Sequence, residues 1–190
     1  MLEYEQFYYA QVRKVRYIAM SKNTNSLILY NGKEYYLTTD IYSKLLLAVL
    51  TKFVPRFAHN ATLLFISDIA KKPLIYEREQ LEKLEVPIFA QEQLPSIILY
   101  QEARNWLYLI DIVTPGSSEP ISHKRRQELE RILADCLAER KYLSVFQKRA
   151  DFAEYAADIA WESYIWIASL PEHIIHYNGD KPLGPHKRAP

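Results

Sequence analysis

At 190 residues, 49% apolar and 25% charged, the chain has the make-up of one globular domain, long enough to bury a core without staples. Lys and Arg number 24 against 23 Asp and Glu, so no bulk charge draws it to nucleic acid or membrane, and a DNA-binding surface has to be a local patch. The single cysteine, Cys136, excludes an internal disulfide and a multi-cysteine zinc site, and four glycines leave neither a GxGxxG loop nor a P-loop. The opening Met1-Leu2-Glu3-Tyr4-Glu5 lacks the charged-then-apolar pattern of a signal peptide. No apolar run nears the roughly 18 residues of a membrane span, and the expectation is a soluble, cytoplasmic protein.

Residues 7–20 and 26–37 are rich in aromatic and β-branched side chains. Asn31-Gly32 is a hairpin signal between Ser26-Leu27-Ile28-Leu29-Tyr30 and Tyr35-Tyr36-Leu37. A small β-rich extension over 1–37 is expected, followed by a main domain over 38–190. Thr38-Thr39-Asp40 offers an N-cap for a helix over about 40–53, with Ile41, Leu45, Val49 and Phe53 at helical spacing and Pro55 as its stop. Leu63-Leu64-Phe65-Ile66 suits a buried strand, and Glu77 to Leu84 a short amphipathic helix.

Two strands follow, Ile97-Ile98-Leu99-Tyr100 and Trp106 to Val113, joined by Glu102-Ala103-Arg104-Asn105. Ser122 caps a helix over about 122–140, and Leu143-Ser144-Val145-Phe146 reads as a strand. A helix over about 151–161 leads into Tyr164-Ile165-Trp166-Ile167-Ala168. From residue 40 to 146 the order is helix, strand, strand, strand, helix, strand.

That αβββαβ order is the order of the restriction-endonuclease-like core of the PD-(D/E)xK nucleases, an α/β fold with a mixed sheet. Local sequence is more specific than element order. Asp158-Ile159-Ala160-Trp161-Glu162, Pro171-Glu172-His173-Ile174-Ile175-His176, Asn178-Gly179-Asp180 and Leu183-Gly184-Pro185 resemble the C-terminal signature of the BsuBI/PstI type II restriction endonucleases. Upstream, Asp68-Ile69-Ala70-Lys71-Lys72, Leu94-Pro95-Ser96-Ile97, Ile110-Asp111-Ile112-Val113-Thr114 and Pro120-Ile121-Ser122-His123-Lys124-Arg125 continue the likeness, in order, over roughly residues 40–185.

The resemblance implies Mg²⁺-dependent cleavage of duplex DNA at a short palindromic site by a homodimer, within a restriction-modification system with a DNA methyltransferase encoded nearby. It implies Asp111 as the metal carboxylate, with Ser96 beside it; Asp40, one helical turn before Lys44, is expected to face the same cleft and partly compensate for the missing carboxylate. Counting back across a four-residue loop sets Gln101 opposite Trp106 and Ser96 opposite Asp111, with opposed Cβ atoms about 4.5–5.5 Å apart. The chain departs from the family pattern at three places: Ser96 stands where the family carries Asp, Asp111 where it carries Glu, and Tyr42-Ser43-Lys44 where it carries a His-Asn-Glu-like cluster. Val113 occupies the usual lysine position, which leaves Lys124 as the nearest cationic assistant. A second expectation follows from these departures: a catalytically degenerate family member acting as a DNA-binding or interaction subunit.

Lys124, Arg125 and Arg126 in the first turn of a helix oppose its macrodipole. That favours a bound anion such as phosphate, with a solvated face as the alternative. Lys148 and Arg149 extend the expected DNA-binding track; the tail residues Lys187 and Arg188 read as a solvated end. His173 and His176 point to opposite faces of a strand and do not suit a shared metal. Cys136, among Ile132, Leu133 and Leu137, reads as a small buried apolar residue.

Overall fold

A computed structural model describes residues 17–22, 25–87, 93–116 and 118–179. The part of the expected β-rich extension before Tyr17 and the basic tail at Lys187-Arg188 lie outside these residues. The chain opens with an antiparallel meander of β1 (Tyr17–Lys22), β2 (Asn25–Tyr30) and β3 (Lys33–Leu37). Asn31 and Gly32 both take positive φ between β2 and β3, the conformation a tight two-residue hairpin requires.

The remaining strands form one seven-stranded mixed sheet. They are β4 (Thr62–Ser67), β5 (Pro73–Tyr76), β6 (Ile97–Gln101), β7 (Trp106–Ile112), β8 (Glu139–Phe146), β9 (Ser163–Ile167) and β10 (Ile174–Tyr177). Their order across the sheet is β10-β9-β8-β7-β6-β4-β5, which puts β7 in the middle. The β6–β7 hairpin pairs Gln101 with Trp106 and Ile97 with Ile110, the register read from loop length. β7, β8 and β9 run parallel, as the helical crossovers between them demand.

Side-chain alternation along β7 assigns its two faces. Tyr108, Ile110 and Ile112 pack with α1 (Ile41–Ala48), through Leu45 and Leu46, and with Ile28 and Tyr30 of the meander. Leu107 and Leu109 pack on the other face against α4 (His123–Ile132), through Leu129, and against Leu133 beyond its end. Asp111 shares the parity of Leu107 and Leu109, so period 2 sends its carboxylate to the α4 face. Fully burying each such Leu or Ile stabilises the fold by about 1.5–3 kcal/mol.

Three element boundaries differ from the sequence reading. Pro55 does not stop the first helix. A π-helical segment, Val49–Phe53, widens the turn, and the chain continues as α2 (Val54–Phe57) with Pro55 in its first turn, where its missing N–H is not needed. The helix expected over 122–140 ends at Ile132, because Glu139 to Tyr142 pair with β7 from Trp106 onward and begin β8 early. The helix expected over 151–161 is α5 (Arg149–Tyr155). α3 (Arg78–Lys83) matches its expected place, and β5 forms as an edge strand that the sequence reading did not include.

The start of α4 is pinned from below. Ser144 of β8 is fully buried, and its hydroxyl accepts the Ile121 N–H at 2.9 Å, while the Ile121 carbonyl accepts the Ala160 N–H at 3.0 Å. Ser144→Ala leaves a buried donor unpaired and is expected to cost about 1–3 kcal/mol, measured by urea unfolding against wild type.

Candidate active site

Asp111 sits one residue before the end of β7 and is 3% exposed. An unpaired carboxylate there would be expensive, and three groups from three different elements compensate it. The Ser96 backbone N–H donates to Oδ1 at 3.1 Å from the strand partner position across the hairpin. Arg125 of α4 donates through Nε to Oδ2 at 3.1 Å. Lys71, in the β4–β5 turn, places Nζ 3.7 Å from Oδ1. Burial pulls the Arg125 pKa down, but Asp111 and Glu128 outweigh it and hold the guanidinium above its ordinary value.

Ser96 is fully buried and serves the backbone on both sides. Its hydroxyl accepts the Ile112 N–H at 3.2 Å, and its carbonyl accepts the Ser67 N–H at 3.0 Å. Tyr42 of α1, the first residue of the Tyr42-Ser43-Lys44 run, donates its hydroxyl to the Ser67 carbonyl at 3.1 Å; burial pushes its pKa up to about 12.

In front of Asp111 opens a cleft of about 600 Å³, lined by Lys71, Asp111 and Arg125 together with Gly116, Ser118, Glu119 and Tyr155. Ser118 shapes its rim: its hydroxyl donates to the Ile112 carbonyl at 2.8 Å and accepts the Thr114 N–H at 2.9 Å. The cleft therefore presents two cations and two carboxylates.

Of the residues singled out from the sequence, Asp111 and Arg125 face this cleft. Asp40 does not. Its carboxylate caps α1, accepting from the Ser43 N–H at 2.7 Å and from the Thr38 hydroxyl, and α1 packs on the opposite face of the sheet from Asp111. Asp40, Ser96 and Asp111 thus do not form one ligand set, and no group of three His, Cys, Asp or Glu suited to a metal occurs among the described residues. Lys124 is exposed and is not among the cleft's lining residues; its neighbour Arg125 is.

Arg126 is held by Glu130 and Glu162, each at 2.8 Å, so carboxylates rather than a free anion offset its charge. Lys148 precedes α5 and pairs with Asp151 at 3.8 Å, and Arg149 is exposed at that helix's start. His176 stacks on Tyr164 at 4.5 Å, a ring contact in the sheet. Cys136 is half-buried, and burial raises its pKa.

Two charged cleft residues escaped the sequence reading. Lys71 lies in the quoted Asp68–Lys72 block, but its reach to Asp111 depends on the β4–β5 turn, where it takes a φ of 61° and donates its N–H to the Asp68 carbonyl. Glu119 lies between two strand-and-helix signals, in a loop that periodicity does not describe. Mg²⁺ is commonly held by one or two carboxylates, with water and substrate phosphate completing its shell. Asp111 and Glu119 meet that minimum, in competition with Lys71 and Arg125.

Fold and cleft together define a restriction-endonuclease-like domain. The chain belongs to the BsuBI/PstI restriction endonuclease family: residues 26–180 match the BsuBI/PstI restriction endonuclease domain. It is 35% identical over 156 residues to the type II restriction enzyme BsuBI of Bacillus subtilis, covering 82% of this chain and 49% of that protein. It is 28% identical over 89 residues to the type II restriction enzyme AplI of Arthrospira platensis, covering 47% of this chain and 27% of that one. The structure of SdaI restriction endonuclease superposes with a TM-score of 0.73 at 28% identity, over 90% of this chain and 51% of that chain. The chain therefore spans about half the length of BsuBI and of SdaI or less of AplI. Among the described residues no helix is long and apolar enough to cross a membrane.

As the cap of α1, Asp40 is expected to contribute stability, and Asp40→Ala lowers it by about 1 kcal/mol, measured by urea unfolding against wild type. Hydrogen bonds from Thr38 and Ser43 outweigh burial and hold its pKa below the ordinary 3.8. A depressed carboxylate stabilises the fold above its unfolded pKa. This share is therefore present at neutral pH and lost as pH falls through the lowered value. Thermal melts from pH 7 downward should show the Asp40→Ala deficit shrinking below about pH 4.

Proposed function

We propose that this chain is the catalytic half of a type II restriction endonuclease, hydrolysing phosphodiester bonds of duplex DNA at a short palindromic site with Mg²⁺ as cofactor. The homodimer, the cytoplasmic location and a companion DNA methyltransferase belong to the same reading, since an active endonuclease needs protected host DNA. The observation that carries it is the Asp111 carboxylate at the end of the β6–β7 hairpin, with Arg125 and Lys71 over it in an open cleft.

Asp111 and Glu119 would hold the ion. A bound Mg²⁺ supplies Lewis-acid polarisation of the phosphoryl oxygen and a water of lowered pKa. Arg125, braced by Glu128 at 3.0 Å, keeps further N–H donors for a phosphate oxygen, a charge-assisted contact that positions the backbone. Lys124, Lys148 and Arg149 are assigned to phosphates flanking the cleft. Arg126, already held by two carboxylates, is the least available of the basic residues.

The degenerate reading has its own support: Ser96 and Tyr42 spend their hydroxyls within the fold, so Asp111 is the sole buried carboxylate among the described residues lining the cleft. Incubating the purified chain with mixed duplex DNA and Mg²⁺ or Mn²⁺ separates the two. We expect cleavage that Asp111→Asn lowers at least about a hundredfold, the scale of losing a transition-state electrostatic contact. Salt-sensitive binding without metal-dependent cleavage would instead establish the degenerate reading. Lys124→Ala should lower the salt slope of duplex binding by about one, measured by fluorescence anisotropy at several salt concentrations.

A further inference from the structure

Asp111 meets its two cations on unequal terms. Arg125 is bonded at 3.1 Å, is 18% exposed at its side chain and is braced by Glu128. Its backbone N–H is also bound to the Ser122 cap, so helix α4 holds it in place. Lys71 stands at 3.7 Å, is 36% exposed, and makes no second ion pair among the described residues. Its backbone is set by the turn, in which Asp68 and Lys72 exchange the Asp68 N–H···O=C and Lys72 N–H···Oδ1 bonds at 2.9 and 2.8 Å. Only the four-carbon stem and its ammonium are free to swing, and an ammonium is a point charge with rotatable donors.

Resting on the nuclease reading above, we infer that Lys71 is a positioning residue that restrains Asp111 until DNA arrives. In the DNA-free protein the Lys71 ammonium covers Oδ1, where a divalent cation would meet like charge. A backbone phosphate entering the cleft is a competing anion beside the same ammonium. Once Lys71 turns to the phosphate, Oδ1 keeps only the Ser96 N–H, and the carboxylate recovers room for a divalent ion. Arg125, fixed by its helix, stays on Oδ2 throughout. Duplex DNA and divalent cation then bind cooperatively, and linkage requires each to tighten the other by the same factor.

The test is Mn²⁺ binding to the full chain, followed by the EPR signal of the free ion, without and with a short phosphorothioate-protected duplex. Wild type should bind Mn²⁺ at least about fivefold tighter with the duplex present. Lys71→Met should tighten Mn²⁺ binding to the DNA-free protein and bring this ratio toward one, while Lys71→Arg keeps it. Lys72→Met removes the same charge from the same turn and should leave the ratio at its wild-type value. Equal effects of Lys71→Met and Lys72→Met, or none from Lys71→Met, overturn the restraint. Lys71→Gln, checked by thermal melting, replaces Lys71→Met if that variant does not fold. Wild type that cleaves DNA without any coupling also overturns the restraint and leaves the nuclease reading intact. Wild type that binds no duplex at all defeats that reading, and the restraint with it.

Discussion

A negative charge in the middle strand of a seven-stranded sheet, 3% exposed, is tolerable only where donors and cations converge on it. Asp111 draws its partners from three separate parts of the chain: a backbone N–H across the β6–β7 hairpin, a guanidinium from α4, and an ammonium from the β4–β5 turn. Each needs its own scaffold. The hairpin register sets Ser96, the Ser122 cap and the Ser144–Ile121 bond set α4, and the Asp68–Lys72 turn sets Lys71. A one-residue slip of β7 would turn the carboxylate to the α1 face, where the core is apolar.

The sheet's parity also explains where chemistry can and cannot occur. α1 and the meander close one face with a continuous apolar cluster, sealed near the hairpin end by Tyr42 and its bond to the Ser67 carbonyl. The opposite face opens beside Asp111, because the loop after β7 turns outward through Gly116, whose φ of 73° a side chain would strain, and is held by Ser118. Two cations and two carboxylates line this opening. Such a site has little net charge of its own, so what it binds is decided by which pairs exchange partners. On the proposed reading, phosphate competes for the cations and a divalent ion for the carboxylates, and each makes room for the other.

Likeness to BsuBI and to SdaI accounts for the sheet and the crossover helices. Ser96 is fully buried, and its hydroxyl is taken up by the Ile112 N–H. Both cations of the cleft converge on the one carboxylate, Arg125 on Oδ2 and Lys71 on Oδ1. The resting cleft is a salt-bridged one, with its buried carboxylate paired on both oxygens.

The sequence alone determined the local and short-range features. The Asn31-Gly32 turn, the β6–β7 hairpin with its register, the Asp40 and Ser122 caps and the prominence of Asp111 all follow from spacing and propensity within a few residues. Tertiary structure alone decided the rest. Whether Pro55 stops a helix depended on a π turn that opens where Phe53 packs against Trp166 at 5.6 Å. Where α4 ends depended on β8 pairing with β7. Lys124 and Arg125 are chemically alike in sequence, and the face that α4 turns to the sheet, the one that buries Leu129 four residues on, selects Arg125 for Asp111. Asp40 and Lys71 exchanged importance for the same reason. A helix cap satisfies its neighbours and has no charge left to share, whereas a turn lysine forty residues from Asp111 in sequence is brought within 3.7 Å by strand order. Contacts between distant segments are set by which faces bury together, and no window of sequence contains that information.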